Sequence, residues 1–405
     1  MGAVYGDYLI VGGEKWRIIE KGGIRWEGEK IVEVGEGVEG EYLGEGSVLL
    51  PSLVNGHTHL EFSGNRGKLR YGKGFVRWLE SVIAHREEIL NRCREECYRQ
   101  EVEKLIDSGV TAIGEISSTG IDIGYLGQAP IEVVLYNEIL GLNPGAVDFL
   151  YSDFLARVEE SQKVAEKNSN FKVGISIHSP YSVHWKLVEK GLEIVKREGY
   201  PVQTHLLESR AEREWLEKEE GEFKGFFGEK FPFARRQFSP IQFIQLFEGV
   251  KVGFVHLTHG TGEEMEAIGK IGGGVIHCPI SNRLLEGTTL RWDLGRNYNL
   301  PIGIGTDGLS SNYTLNIWEE MRVALFIHQS TPPLQLAQEL LTSAFYWNRK
   351  ILGLEGGELK PGNPADFIAI TLPEPQLEEL EQLPLQILLH TTSATRVYFR
   401  GKKLK

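Results

Sequence analysis

Residues 48–59, VLLPSLVNGHTH, form a short apolar run that ends on two histidines two positions apart. In an extended strand, residues two apart project to one face. His57 and His59 can therefore stand side by side at a strand end. Seven more runs of this kind follow: VTAIGE (110–115), IEVVLYNEIL (131–140), KVGISIH (172–178), YPVQTH (200–205), KVGFVH (251–256), GGGVIH (272–277) and PIGIGTD (301–307). Helical segments separate most of them; the clearest, rich in Glu, Arg and Leu, is expected from Phe75 to about Ile106. Strand and helix alternating eight times is the arithmetic of an α/β fold closed into a (β/α)8 TIM barrel.

The ends of the chain read differently. Residues 1–48 carry short β-prone pieces broken by glycine, DYLIVGG, KWRIIEKGG and IRWEGEKIVEVGEG, and strand-like patterning returns in TSATRVYFRGKKL near the C-terminus. The expectation is a barrel over 49–355 and a small β-sandwich assembled from 1–48 and 356–405. The segment EREWLEKEEGEFKGFFGEKFPFARRQFSP (212–240) exceeds an ordinary strand-to-helix loop and reads as a lid or binding loop.

A chain of 405 residues with 41% hydrophobic and 25% charged side chains can bury a sizeable core. Its net charge of -12 argues against a nucleic-acid partner, which needs a basic face. No apolar run reaches the ~20 residues of a membrane span, and the N-terminus lacks the basic start of a secretory signal. Cys93, Cys97 and Cys278 are expected as reduced thiols in the cytoplasm.

Barrel enzymes place their chemistry at the C-terminal ends of the strands. Of the 11 histidines, His57, His59, His178, His205 and His256 lie there, and Asp307 ends the eighth run. His57, His59, His205 and Asp307 make a set of three nitrogens and one oxygen. Such a set suits one divalent metal ion per chain, Zn2+ or Fe2+, with a position left for water. A bound ion lowers the pKa of its water to about 7.

In chain order, PSLVNGHTHLEFS, HSPYSV, QTHLLES, FVHLTHG, HCPISNRLLEG, GIGTDGLSSN and PGNPADFIAI resemble blocks of the amidohydrolase superfamily, in its nucleoside and aromatic deaminase branch. Within that branch, HLEFSGNRGKLRYGKGFVRWLESVIAHREE (59–88) resembles the aminodeoxyfutalosine deaminases of the futalosine route to menaquinone. The resemblance implies a metal-dependent hydrolase that turns an adenine into hypoxanthine and releases ammonia. Glu208, three residues after His205, would shuttle protons. His256, rather than its neighbour His259, would orient the attacking oxygen, and Asp307 would accept a proton during attack. Two-metal members carry a bridging Lys or Glu on a middle strand. His178 stands in that place here, which implies a mononuclear site and a substrate contact at His178. Glu87, nine residues after Trp78, matches the offset of a ribose-binding Glu, with Glu88 as its alternative in register. Glu115 and Glu138 are left without a role. Ser281 and Asn282 are expected to brace their loop through side-chain to backbone bonds.

The same site could instead release an amide, a triazine chloride, or the amine of guanine or cytosine. A scaffold that had lost its chemistry would not keep four ligands and Glu208. If the substrate is aminodeoxyfutalosine, its remote benzoate needs a local Arg, because the whole chain repels anions. Arg210, Arg235, Arg236 and Arg283 are the candidates on loops expected to face the site. The partner is then a small-molecule nucleoside, and a homodimer is one assembly open to barrels of this type.

Overall fold

The computed structural model describes all 405 residues. Eight strands form one parallel sheet in chain order: Leu53–Thr58, Val110–Ser117, Glu132–Ile139, Phe171–Ile177, Val202–Leu206, Val252–His256, Gly274–His277 and Ile302–Ile304. Nearly every residue in them is buried, as expected for strands covered on both faces. The sheet curls until its ends meet. The Thr306 and Asp307 amides both donate to the His57 carbonyl, at 3.1 and 3.0 Å, and Thr58 bridges Asp307 in the parallel sense. Gly305 permits this approach, since a Cβ there would lie 2.8 Å from the His57 nitrogen.

Strands from the two ends of the chain build two further sheets. One has the order Lys402–Lys403, Arg396–Phe399, Phe367–Thr371, Ser47–Pro51, Tyr8–Ile10, Ile18–Glu20. The other runs Lys30–Glu36, Gly22–Glu27, Gly2–Tyr5, Glu41–Tyr42. Leu9, Ile24, Trp26, Leu49, Phe367 and Tyr398 fill the space between them. Trp26 pins the N-terminal half to the C-terminal half: its ring lies 5.2 Å from both Phe367 and Tyr398, and its N–H donates to the Gly401 carbonyl. No helix is long and apolar enough to cross a membrane.

Several local readings need correction. The run 48–59 is two strands, because at Ser52 the amide turns to the Asp366 carbonyl while Leu53 N–H pairs with Gly109 in the barrel. The helix expected through Ile106 is two helices, Phe75–Arg92 and Glu95–Ser108, since Cys93 takes an extended conformation (φ -94°, ψ 110°). Across that break Cys93 and Cys97 are joined in a disulfide rather than left as thiols, their Cα atoms 5.2 Å apart; Cys278 is free and buried. The kinked link brings the two cysteines together, and such a bond is uncommon in a reducing compartment. The segment 212–240 is mostly helical, within Arg210–Lys218 and Glu222–Lys230.

Arg349, 1% exposed, ties the barrel floor to the sandwich. It donates to Ser52, Thr111 and the Glu355 carbonyl and lies 3.6 Å from Glu132 and 3.5 Å from Asp366. Replacing one member of a buried ion cluster strands the others. Lys172 and Arg400 also approach Glu132, which softens the loss. Arg349→Met is expected to lower unfolding free energy by about 3 kcal/mol in a denaturant titration; a loss within experimental scatter would show the cluster to be energetically idle.

Candidate active site

The closing seam of the barrel sets His57 and His59 against Asp307. The Nε2 atoms of His57 and His59 lie 3.8 and 3.6 Å from the same oxygen, Asp307 Oδ1, and His59 Nε2 lies 3.4 Å from His205 Nε2. Donor atoms about 2.0–2.1 Å from a tetrahedral ion stand roughly 3.3–3.4 Å from one another. The observed spacings are close to that. The outward-facing atoms of His57, His205 and Asp307 are occupied, which aims the inner ones. His57 Nδ1 donates to Gln203 Oε1 at 2.8 Å, and the Gln203 amide is fixed by donating to the Gly56 carbonyl. His205 Nδ1 donates to the His178 carbonyl at 2.9 Å. Asp307 Oδ2 accepts from the Ser281 and Ser311 hydroxyls, leaving Oδ1 to face the imidazoles. His57 Nε2 is buried with no hydrogen-bond partner. An orphaned nitrogen facing three more donors fits a bound cation.

Burial pushes the His57 imidazole down to about 3, with His59 adding to the effect, so it is held in the neutral, ligating form. Burial alone would raise Asp307, but the surrounding imidazoles of His59, His256 and His57 outweigh it and hold the carboxyl well below its usual range. The site also stores backbone strain. Leu207, His256, Leu257 and Asp307 have φ of 52°, 76°, 50° and 57°, a region non-glycine residues seldom occupy. Each such residue costs on the order of 1–3 kcal/mol, a cost tolerated where geometry serves a site.

Glu208 sits beyond the fifth strand, 5% exposed, with Oε1 3.5 Å from His256 Nε2. Burial, and then the charges of Asp307 and Glu212, push its carboxyl well above the ordinary range, so it is a stronger base than an exposed carboxylate. His256 Nδ1 donates to Asn282 Oδ1 at 2.8 Å, and the Asn282 amide donates to His277 Nδ1 at 3.2 Å. His277 and His328 continue the chain, their Nε2 atoms 3.0 Å apart. This buried relay fixes which nitrogen of His256 faces Glu208. Asn282 and Ser281 thus reach side chains of the site rather than the loop backbone expected of them. Gln203 was not singled out in the sequence, although it lies two residues before His205 on the same strand face, where the period of two would find it.

Beside these groups opens a cavity of about 520 Å³, lined by His59, His178, His205, Glu208 and Asp307 among others. Its apolar wall includes Trp78, Leu79, Val82 and Ile83 on one side and Phe226, Phe227 and Phe231 from the 212–240 segment on another. His178, half-buried with Nδ1 2.6 Å from Ser182 Oγ, faces it, and Glu138 lines it with Oε1 unpaired. Glu115 is turned away and braces the first strand end, accepting from Thr58 and from Leu60 N–H. His259 is also outside, 3.6 Å from Glu286.

Glu87 does not reach this cavity; it is exposed. At about 100° per residue, nine positions beyond Trp78 is half a turn to the opposite helix face. Glu88 is likewise outside, paired with Lys68 and Arg92. None of the four expected arginines lines the cavity. Arg210 is 76% exposed and paired with Glu214, because the helix start at Ser209 turns it outward. Arg235 bonds the Pro232 and Ala234 carbonyls, and Arg236 the Glu217 carbonyl. Arg283 borders a separate cleft shared with Arg210. The arginine that does line the cavity is Arg86.

The sequence model of the Amidohydrolase family matches residues 48–404. The chain is 44% identical over 359 residues to an aminodeoxyfutalosine deaminase of a Nitratiruptor species, covering 89% of this chain and 87% of that one. It is 31% identical over 408 residues to an adenosine deaminase of Helicobacter pylori, covering 96% of each. The crystal structure of Helicobacter pylori aminofutalosine deaminase in complex with methylthio-coformycin aligns over 100% of both chains, with a TM-score of 0.93 and 30% identity.

Gln203→Leu keeps the side-chain bulk but removes the acceptor that orients His57. Loss of such an outer partner typically weakens metal affinity about 10- to 100-fold. Zn2+ competition against a chromogenic chelator is expected to show a loss in that range; affinity unchanged within a factor of two would remove Gln203 from the ligand scaffold.

Proposed function

This chain belongs to the amidohydrolase family and is a hydrolase of carbon–nitrogen bonds, and from that premise we propose that it deaminates the adenine of aminodeoxyfutalosine to hypoxanthine with release of ammonia. The observation that carries the reading is the placement of Glu208, buried and 3.5 Å from His256, in the same cavity wall as His59, His205 and Asp307. The 44% identical relative bears the name of this reaction.

His57, His59, His205 and Asp307 would hold one divalent ion, Zn2+ or Fe2+. When bound, that ion supplies a water acidic enough to lose a proton near pH 7. The protein's own groups do the rest. Glu208 takes a proton from the attacking water and delivers it to the ring nitrogen beside the amino-bearing carbon, which relieves the charge that builds there on attack. Asp307, held ionised, accepts the second proton of the attacking oxygen. His256, neutral and held by Asn282, fixes that oxygen's direction through Nε2. A proton returned to the exocyclic amine lets it leave as ammonia. The apolar walls exclude bulk water, so these transfers run between fixed partners. His178, whose ring is held by Ser182, contacts the bound nucleoside in this reading.

The test is a metal-loaded incubation with aminodeoxyfutalosine, following ammonia and the conversion of the adenine absorbance to that of hypoxanthine. Turnover is expected to vanish on metal removal and return with Zn2+ or Fe2+. Glu208→Gln is expected to keep the ion and lose roughly 10²–10⁴ in kcat, the usual worth of a positioned acid–base. Full activity without metal, or a Gln variant within a few-fold of the parent, would overturn the mechanism.

A further inference from the structure

One face of the helix Phe75–Arg92 forms a wall of the cavity. Trp78, Leu79, Val82, Ile83 and Arg86 all line it. The first four are apolar, and Arg86 closes the row about 12 Å along the axis from Trp78. The Trp78 end is moored to the loop that carries Asp307, its indole N–H donating to the Ser310 carbonyl at 2.8 Å. The Arg86 end meets Ser118, just past the second barrel strand. The shelf thus runs from the ligand-bearing loop outward to a single cation.

That cation is unpaired. Arg86 is half-buried, its one hydrogen bond goes to the Ser118 hydroxyl, and it makes no ion pair. The nearby carboxylate of Glu61 makes no direct contact with Arg86: one oxygen accepts from the Ser118 hydroxyl and the other from Ser118 N–H at 3.3 Å, and the Arg86 charge is felt there across the serine. Ser118 therefore stands between the two charges. A guanidinium carries five N–H donors, so four of them lack a protein partner. Among the 23 residues lining the cavity Arg86 is the sole Lys or Arg. Facing the cavity with a single protein hydrogen bond, the guanidinium keeps donors free for a ligand carboxylate, which matches its fork with two parallel hydrogen bonds. With the whole chain at -12, attraction for an anion has to be this local.

We propose that Arg86 is the specificity-determining residue of this cavity, binding a carboxylate carried at the end of an apolar 5′ substituent of an adenine nucleoside. The proposal rests on the deaminase reading for the adenine end of the ligand. The shelf of Val82 and Ile83, with Leu140 and Leu142 beside it, receives the apolar part; the benzoyl ring of aminodeoxyfutalosine has that chemistry, and its carboxylate would meet Arg86.

The experiment compares aminodeoxyfutalosine with its benzoate methyl ester on the full, metal-loaded chain. Dissociation constants are measured in a Glu208→Gln background, where turnover is slow enough for binding to be read before conversion, and kcat/KM with Glu208 intact, each with Arg86, Arg86→Met and Arg86→Lys. With Arg86 the acid is expected to be preferred over the ester by roughly ten- to a hundredfold, the worth of a charge-assisted bond. Arg86→Met is expected to bring that ratio near one, and Arg86→Lys to restore part of it. A residue that merely braced the helix would weaken both compounds alike and leave the ratio unchanged; that result, or the absence of a preference in the parent, overturns the proposal. If neither compound is deaminated but Arg86 still selects the acid in binding, the proposal stands and the deaminase reading falls.

Discussion

The His57 carbonyl, accepting hydrogen bonds from both Thr306 and Asp307, is the interaction on which the rest of the structure depends. It closes an eight-stranded sheet into a barrel and, in doing so, brings Asp307 Oδ1 to the imidazoles of His57 and His59. Closure needs a glycine at 305, because any side chain there would collide with His57. Closure also forces Asp307 into a left-handed conformation. Fold and site are therefore one constraint. A barrel that failed to close would have no place for the ion, and the strain at the seam is offset by packing elsewhere and by whatever binds there.

The second organising fact is how burial sorts the charges. Asp307, facing the histidines, is held ionised, while Glu208, equally buried but beside the carboxylates of Asp307 and Glu212, has its proton affinity raised. Two carboxylates within one site thus differ in proton affinity, and this suits Asp307 to stay ionised as a ligand and Glu208 to take up a proton and pass it on. Outer partners make the arrangement rigid. Gln203 holds His57, the His178 carbonyl holds His205, and Asn282 holds His256. The Glu138 and His178 side chains come near His205 on the cavity side, and a second ion would have to sit there.

Much of this was legible in the sequence because a barrel strand announces itself as an apolar run and its chemistry falls at the run's end. All eight strands and the candidate ligands follow from that rule, and so does the pairing of the two chain ends in a sandwich. What escaped depends on angles and breaks. Glu87 and Arg86 are adjacent in sequence, yet about 100° of helix rotation separates a solvent-facing carboxylate from a guanidinium in the cavity wall. The turn at Cys93 that splits the long helix has no Gly or Pro to mark it. Arg210 and Arg236 looked available because counting positions does not reveal Glu214 or the Glu217 carbonyl, to which they are committed. Asn282 seemed a loop residue because its partner, His256, is 26 positions away.

The central claim is one ion held by three imidazoles and a carboxylate at the closing seam. X-ray absorption at the metal edge of the loaded protein tests it most directly. The account predicts three imidazole nitrogens at about 2.0–2.1 Å, with the remaining positions filled by oxygen and no sulfur. Fewer than three imidazoles in the coordination shell, or a metal–metal distance of about 3.5–4 Å marking a second ion, would contradict it.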